Sequence, residues 1–227
     1  MLSIYREESP LATEIKRIVS RLKIAKEERN VKSIMVTSSM LGEGKSTTAA
    51  YLAIAYSKYR ETKTLLIDLD LRRPTVHGLF EVRKRRGVSD ILGLEIPVKT
   101  CIKQSKYDNL YIITSGHLSK YTPSELFNSA RLRDLFSDLK SYFDMIIIDA
   151  PPLIPVSDPL LLGSEIDGAL FVVKAGKTQK PVIRRALRLL KDARIPTLGV
   201  VLNNMQHALP YYYEYQFYGY EYYSKPD

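Results

Sequence analysis

Cysteine is almost missing from this chain. Cys101 stands alone among 227 residues, so neither a disulfide framework nor a thiol metal cluster can be built, and a cytoplasmic setting is the simplest reading. Nothing near Cys101 marks an activated thiol, so it reads as structural. Long apolar runs are missing too. None approaches the ~20 residues that a bilayer-spanning helix needs. The first residues, Met1 to Glu8, lack the apolar core of a signal peptide. Acidic residues are in deficit, leaving a net charge of +9. That balance permits binding to nucleic acid, anionic lipid or acidic protein surfaces. The densest basic run, Arg83-Lys84-Arg85-Arg86, reads as a solvated loop, and no nucleic-acid-reading module surrounds it, so nucleic acid is not an expected partner. The length suits one α/β domain with an ample core.

What is present centres on Thr37-Ser38-Ser39-Met40-Leu41-Gly42-Glu43-Gly44-Lys45-Ser46-Thr47-Thr48. The apolar run Ser33–Val36 before it reads as a buried strand, and Ala49–Tyr56 after it is rich in helix formers. Strand, glycine loop and helix together are the setting of a phosphate-binding loop. Gly42 and Gly44 let the backbone turn close to a polyphosphate, while the N–H groups opening the helix favour an anion. Lys45 is placed to reach the β- and γ-phosphates, and Ser46 to face Mg²⁺. Ser39 occupies the first glycine position of G-x-x-x-x-G-K-[ST], so the strict pattern fails there while the rest is intact.

Two further segments point to the same chemistry. Leu65-Leu66-Ile67 reads as a buried parallel strand with Asp68 at its carboxyl end, where open α/β sheets bind ligands; Asp70 and Arg72 follow just beyond. Met145–Ile148 is a second such strand, ending in Asp149-Ala150-Pro151-Pro152, the Walker B pattern whose carboxylate holds Mg²⁺. Asp158 reads as the cap of the next helix, with a supporting role behind the site as the alternative. Further strands are expected over Asn109–Gly116, Gly168–Lys174 and Thr197–Asn204. Asn203, at the end of the last one, reads equally well as a reader of an adenine edge or as a turn residue.

Helices are expected over about 9–25, where Ser9-Pro10 is an N-cap and N1 pair and Leu11, Ile15, Ile18, Val19 and Leu22 form one apolar stripe. Others are expected between Gly87 and Gly93, from Pro123, from Ala130 to Tyr142, and from Lys180 to Asp192 with Val182, Ile183, Ala186, Leu189 and Leu190 inward. Strands alternating with helices argue a doubly wound, mostly parallel sheet flanked by helices. Residues 1–209 are expected to form that domain. Residues 210–227 change character: Tyr211, Tyr212, Tyr213, Tyr215, Tyr218, Tyr220, Tyr222 and Tyr223 are half of the sixteen tyrosines, without helical or strand period, and read as a flexible tail.

These segments together resemble the bacterial tyrosine kinases that control capsule and exopolysaccharide synthesis, in their stand-alone form (the CpsD/CapB type), within the wider MinD/ParA-like P-loop ATPases. The resemblance rests on Ser38–Thr47 as Walker A, Leu66–Arg72 as a second Walker A′ segment, Ile146–Pro152 as Walker B and Gly199–Asn203 as a base-binding strand end. It implies ATP and Mg²⁺ as cofactors. Gly42, Glu43, Gly44, Lys45, Ser46, Thr47 and Asn203 would hold the nucleotide, and Ser46, Asp68, Asp70 and Asp149 the metal. Lys45, Asp68, Asp70, Arg72 and Asp149 would serve catalysis, with Asp68 as the base. It also implies trans-autophosphorylation of the tail tyrosines and a homo-oligomer, with a ring as one form. A transmembrane adaptor would recruit the chain to the inner face of the membrane, and a phosphotyrosine phosphatase would act on it. The family's first helix often carries E-x-x-R-x-x-R. Here Glu14 and Arg17 fit, but Ser20 holds the last place and Arg21 follows one step on, about 100° round the helix. The rivals are a MinD/ParA-type ATPase switch, whose signature lysine is replaced by Met40 here, and a non-catalytic scaffold.

Overall fold

The computed structural model describes residues 9–59, 62–118, 121–127 and 130–204. Its elements, in chain order, are α1 (Pro10–Arg29), β1 (Ser33–Ser38), α2 (Lys45–Ser57), β2 (Thr64–Asp68), α3 (Val76–Leu79), α4 (Val88–Leu94), β3 (Lys103–Gln104), β4 (Leu110–Ile113), α5 (Pro123–Phe127), α6 (Ala130–Tyr142), β5 (Met145–Asp149), β6 (Gly168–Lys174), α7 (Lys180–Asp192) and β7 (Thr197–Asn203). The seven strands form one sheet in the order β3-β4-β2-β5-β1-β6-β7. All neighbours pair parallel except β3 with β4. The expected doubly wound, mostly parallel sheet is therefore present.

The central strands β1, β2, β5 and β6 are buried on both sides because helices cover both faces. Side chains alternate across a strand, so each of these feeds two cores. Ile34, Val36, Leu66, Ile147 and Val172 pack towards α1 and α2. Met35, Leu65, Ile67, Ile148 and Phe171 pack towards α4, α5, α6 and α7. In α6, Leu132, Leu135, Phe136 and Leu139 are all buried, as their spacing predicts. Cys101 is buried in the second core, and burial pushes its thiol pKa up, in keeping with a structural role.

Several expectations need correction. Ser9 caps α1 as expected, accepting from the Ala12 N–H at 3.2 Å, but the helix runs on to Arg29. Leu11 is 37% exposed and Ala12 takes its place in the buried stripe, because Ala12 shares the face of Ile15, Val19 and Leu22. In α7 only Ala186 and Leu190 are buried; Val182, Ile183 and Leu189 are half-buried at the rim of the core. Strand β3 and helix α3 have no counterpart in the sequence reading, being too short for a period to show. The tail, including every tyrosine from Tyr211 to Tyr223, lies outside the described residues.

The amino ends of β1 and β6 are joined to the end of α6 through Asp167. Its Oδ2 accepts from the Lys32 and Ser33 N–H groups at 2.7 and 2.8 Å and from the Ser33 hydroxyl at 3.0 Å, while Oδ1 accepts from Lys140 Nζ at 2.7 Å. Burial alone would raise its pKa, but the Lys140 ammonium and the two N–H groups more than offset this and hold it below the ordinary aspartate value. A depressed carboxyl stabilises the fold above its unfolded pKa and loses that stabilisation as pH falls through its folded value. Asp167→Ala is therefore expected to cost about 2 kcal/mol at neutral pH, and the deficit should shrink as acid protonates the wild-type carboxyl. Denaturant melts of both proteins across pH 2–7 read it out.

Candidate active site

The chain reverses direction around β1. After β1 it moves outward through β2 and β4, then β5 returns to fill the gap between β1 and β2, and β6 and β7 build the other side. That is the topological switch point at which doubly wound sheets bind ligands, beyond the carboxyl ends of their strands. Register fixes who meets there. Asp149 lies opposite Asp68 on one side and Val36 on the other. The phosphate loop follows two residues after Val36, once β1 ends at Ser38.

The loop has the expected form. Gly42 and Gly44 take φ of 74° and 95°, a region costly for any residue with a Cβ. At Gly44 a Cβ would also sit 2.1 Å from Asn203 Nδ2, so no larger residue fits. Ser39 needs no positive φ, which explains how serine stands at a glycine position of the pattern. Leu41, just before the first glycine, is 48% exposed. Gly44 is the N-cap of α2, and the first-turn N–H groups beyond it have no carbonyl within their own helix. Those N–H groups and the helix dipole make an anion cradle.

The acids gather as expected. Lys45 Nζ lies 2.8 Å from Asp70 Oδ2, 3.5 Å from Asp149 Oδ1 and 3.2 Å from Ser46 Oγ. Burial opposes the charge on Lys45, but Asp149 and Asp70 outweigh it and hold the ammonium's pKa above the ordinary lysine value. Asp149 is fully buried, and burial raises its pKa although Lys45 and the Ser46 hydroxyl pull the other way. Neither Asp149 oxygen has a well-formed hydrogen-bond partner, which leaves both lone-pair sets free for another ligand. Asp68 is raised well above the ordinary aspartate value, first by burial and then by the nearby Asp149 charge. Its own oxygens accept from three N–H groups, those of Asp70, Thr75 and Val76, at 3.1–3.2 Å.

Two expected residues sit differently from their simplest reading. Glu43 directs its side chain away from the cradle: Oε2 accepts from the Met40 N–H at 2.6 Å and Oε1 from the Thr178 hydroxyl. Arg72 does not touch the clustered acids. Its Nε and NH2 groups donate to Asp158 at 2.6 and 3.2 Å, and the Ser124 hydroxyl joins them at 2.9 Å. Asp158 is thus the buried anchor of Arg72; Ser157 takes the cap position of the turn Asp158–Leu162. Asn203 reaches the loop, donating to the Glu43 carbonyl at 2.9 Å. Ser124 and Thr178 were not singled out by sequence, because neither carries a local motif. A hollow of about 560 Å³ lies elsewhere, lined in part by Lys63, Tyr111 and Phe143 towards the amino ends of the strands.

An oxygen-rich set of hydroxyl and carboxylates, one of them fully buried and 3.5 Å from an ammonium, fits a hard divalent cation beside a polyphosphate. Fold and site together define a P-loop NTPase fold of the MinD-like class. The comparisons with known proteins narrow this. A family model described as an AAA domain matches residues 31–162. The tyrosine-protein kinase YwqD of Bacillus subtilis is 34% identical over 206 residues, covering 91% of this chain and 85% of that protein. The tyrosine-protein kinase CpsD of Streptococcus pneumoniae serotype 4 is 34% identical over 183 residues, 80% of each chain. Among solved structures, the chimerical protein CapA2B2 superposes with TM-score 0.84 at 32% identity, over 89% of this chain and 88% of that one. The kinase domain of the Escherichia coli tyrosine kinase ETK gives 0.84 at 26%, over 89% and 78%. The chain belongs to the bacterial tyrosine-protein kinases of the CpsD/CapB/YwqD family, ATP-dependent enzymes built on the MinD/ParA-like fold.

A carboxyl whose folded pKa is raised stabilises the fold most when protonated, and that contribution is lost as pH rises through its folded value. Asp149 is such a group. Without nucleotide or metal, Asp149→Asn should therefore melt at a higher temperature than wild type at neutral pH. The gain should fade below the ordinary aspartate range. Thermal melts in EDTA at pH 3 and pH 7 compare the two.

Proposed function

We propose that this kinase transfers the γ-phosphoryl group of ATP to the tyrosines of its own tail, in trans between subunits, and so regulates capsule or exopolysaccharide assembly. The observation that supports this best is the convergence of Lys45, Asp70 and Asp149 at one strand edge beside the glycine loop, with Asp68 next to them in register. The names of the relatives YwqD and CpsD support tyrosine as the acceptor.

In this reading the first-turn N–H groups of α2, with Gly42, Gly44 and Thr47, cradle the phosphates. Lys45 leaves Asp70 and turns to the β- and γ-phosphates. Ser46, Asp70 and Asp149 would hold Mg²⁺, which would supply positive charge against the transferring phosphoryl group. Tyrosine has an unperturbed pKa of about 10, so its proton must leave as attack proceeds. Asp68 receives it: the raised carboxyl is a stronger base than an exposed aspartate. The phenol oxygen bonds the γ-phosphorus, the bond to the β-phosphate oxygen breaks, and ADP departs. Arg72, half-exposed and braced by Asp158, is placed to meet the incoming segment. Asn203 lies at the loop, where an adenine could be read.

The tail tyrosines would be phosphorylated in trans, by a neighbouring subunit. Glu14, Arg17 and Arg21 are exposed on α1, and Glu14 pairs with Arg17 at 2.5 Å, which leaves these charges available to a second subunit. Each phosphotyrosine adds roughly −1.5 to −2 charges. A fully modified tail outweighs the chain's +9 and drives subunits apart. No helix among the described residues is long and apolar enough to cross a membrane, so recruitment to the membrane would rely on an adaptor.

Labelled ATP with phosphoamino-acid analysis tests the reading. Phosphotyrosine is the expected product; free phosphate alone would indicate an ATPase switch, and neither product a scaffold. Lys45→Met should lower phosphotyrosine by about 10²–10³-fold. Replacing the eight tail tyrosines by phenylalanine should leave the oligomer intact in ATP; dissociation of that variant by ATP would refute the charge mechanism.

A further inference from the structure

Glu43 is the buried charge of the site that the phosphoryl-transfer reading leaves without a task. Only 2% of it is exposed, and its carboxylate makes no contact with Lys45 or the clustered acids. Instead it closes a ring inside the loop by accepting from the Met40 N–H at 2.6 Å. Its other oxygen accepts from the Thr178 hydroxyl and, at 3.4 Å, from the Lys174 N–H. Lys174 and Thr178 bound the tight turn between β6 and α7, where Gly176 takes φ 72° and the Lys177 and Thr178 N–H groups bond back to Lys174. The Glu43 carbonyl meanwhile accepts from Asn203 Nδ2 at 2.9 Å. One residue thus fastens the phosphate loop to β6, to the turn after it and to the end of β7.

This fastening has a physical purpose. A loop with Gly42 and Gly44 has more backbone freedom than one built of residues that carry a Cβ, and ordering it on binding costs conformational entropy. An anion cradle works only if its N–H groups already point at the phosphates. The acids at 68, 70 and 149 lie on the β2–β5 side and cannot hold the loop from β6. Glutamate has the reach to do so; alanine does not.

We propose that Glu43 and Thr178 are positioning residues that preform the phosphate loop for nucleotide. The proposal rests on the reading that this loop binds ATP, but not on which hydroxyl receives the phosphate. The two side chains act as one clamp. Glutamine at 43 preserves it, because its carbonyl still accepts from Met40 and its amide donates to the Thr178 oxygen.

The test uses the full-length protein and a fluorescent ADP analogue, with the Michaelis constant for ATP measured beside it. Glu43→Ala and Thr178→Val should each weaken nucleotide binding and raise KM about tenfold, with kcat within about twofold. The double variant should be no weaker than Glu43→Ala alone, and Glu43→Gln should stay within about twofold of wild type. Thr178→Ser should rescue Thr178→Val. If the Ala and Val variants lower the melting temperature but bind nucleotide as wild type does, the clamp is structural only and the proposal is overturned. It is equally overturned if the two losses multiply, which would make them independent. A wild-type protein that binds the analogue yet forms no phosphotyrosine refutes the kinase reading and leaves the clamp standing.

Discussion

Everything at the carboxyl edge of the sheet depends on one ammonium group among carboxylates. Lys45 lies in hydrogen-bond contact with Asp70 and near Asp149, in a place from which water is largely excluded. Remove the positive charge and buried acids face each other with nothing between them, the most costly electrostatic arrangement a small domain can hold. The Lys45 ammonium makes the cluster tolerable, and in the proposed reading a metal would share that task once the lysine engaged phosphate. The fold accepts local instability so that charge is ready where a phosphoryl group will pass.

The sheet makes the cluster possible. Parallel strands end at one edge, and their order decides which ends are neighbours. β5 lies between β2 and β1, so Asp149 is in register with Asp68 while the loop after β1 folds over both. On the far side, β6 and β7 bring Thr178 and Asn203 against the loop's back. The loop is therefore gripped from two directions, by ion pairing on one flank and by neutral and charged hydrogen bonds on the other.

Much of this could be read from residues. Buried parallel strands appear as short apolar runs, and Asp68 and Asp149 stand where such runs stop, so both the sheet and its acidic edge were legible. The amphipathic period of α6 identified its inner face, whereas in α7 the same period overstated burial because that helix covers the sheet's margin. Other features had no local trace. Arg72 and Asp158 are 86 residues apart, and Glu43 and Thr178 are 135 apart; no spacing rule links them. Asp158 looked like a helix cap because aspartate before proline commonly is one; only the folded chain shows Arg72 and Ser124 converging on it. β3 escaped because a two-residue polar strand has no alternation to detect.

The central seat of β5 also bears on biosynthesis. The ribosome delivers the glycine loop and the Asp68 strand long before Asp149 exists, and the slot between β1 and β2 stays open until that later strand arrives. Asn203 comes later still. A nascent chain thus cannot assemble the loop's mature surroundings until β7 has emerged. Catalytic competence and completion of the fold arrive together, just ahead of the tyrosines on which the enzyme would act.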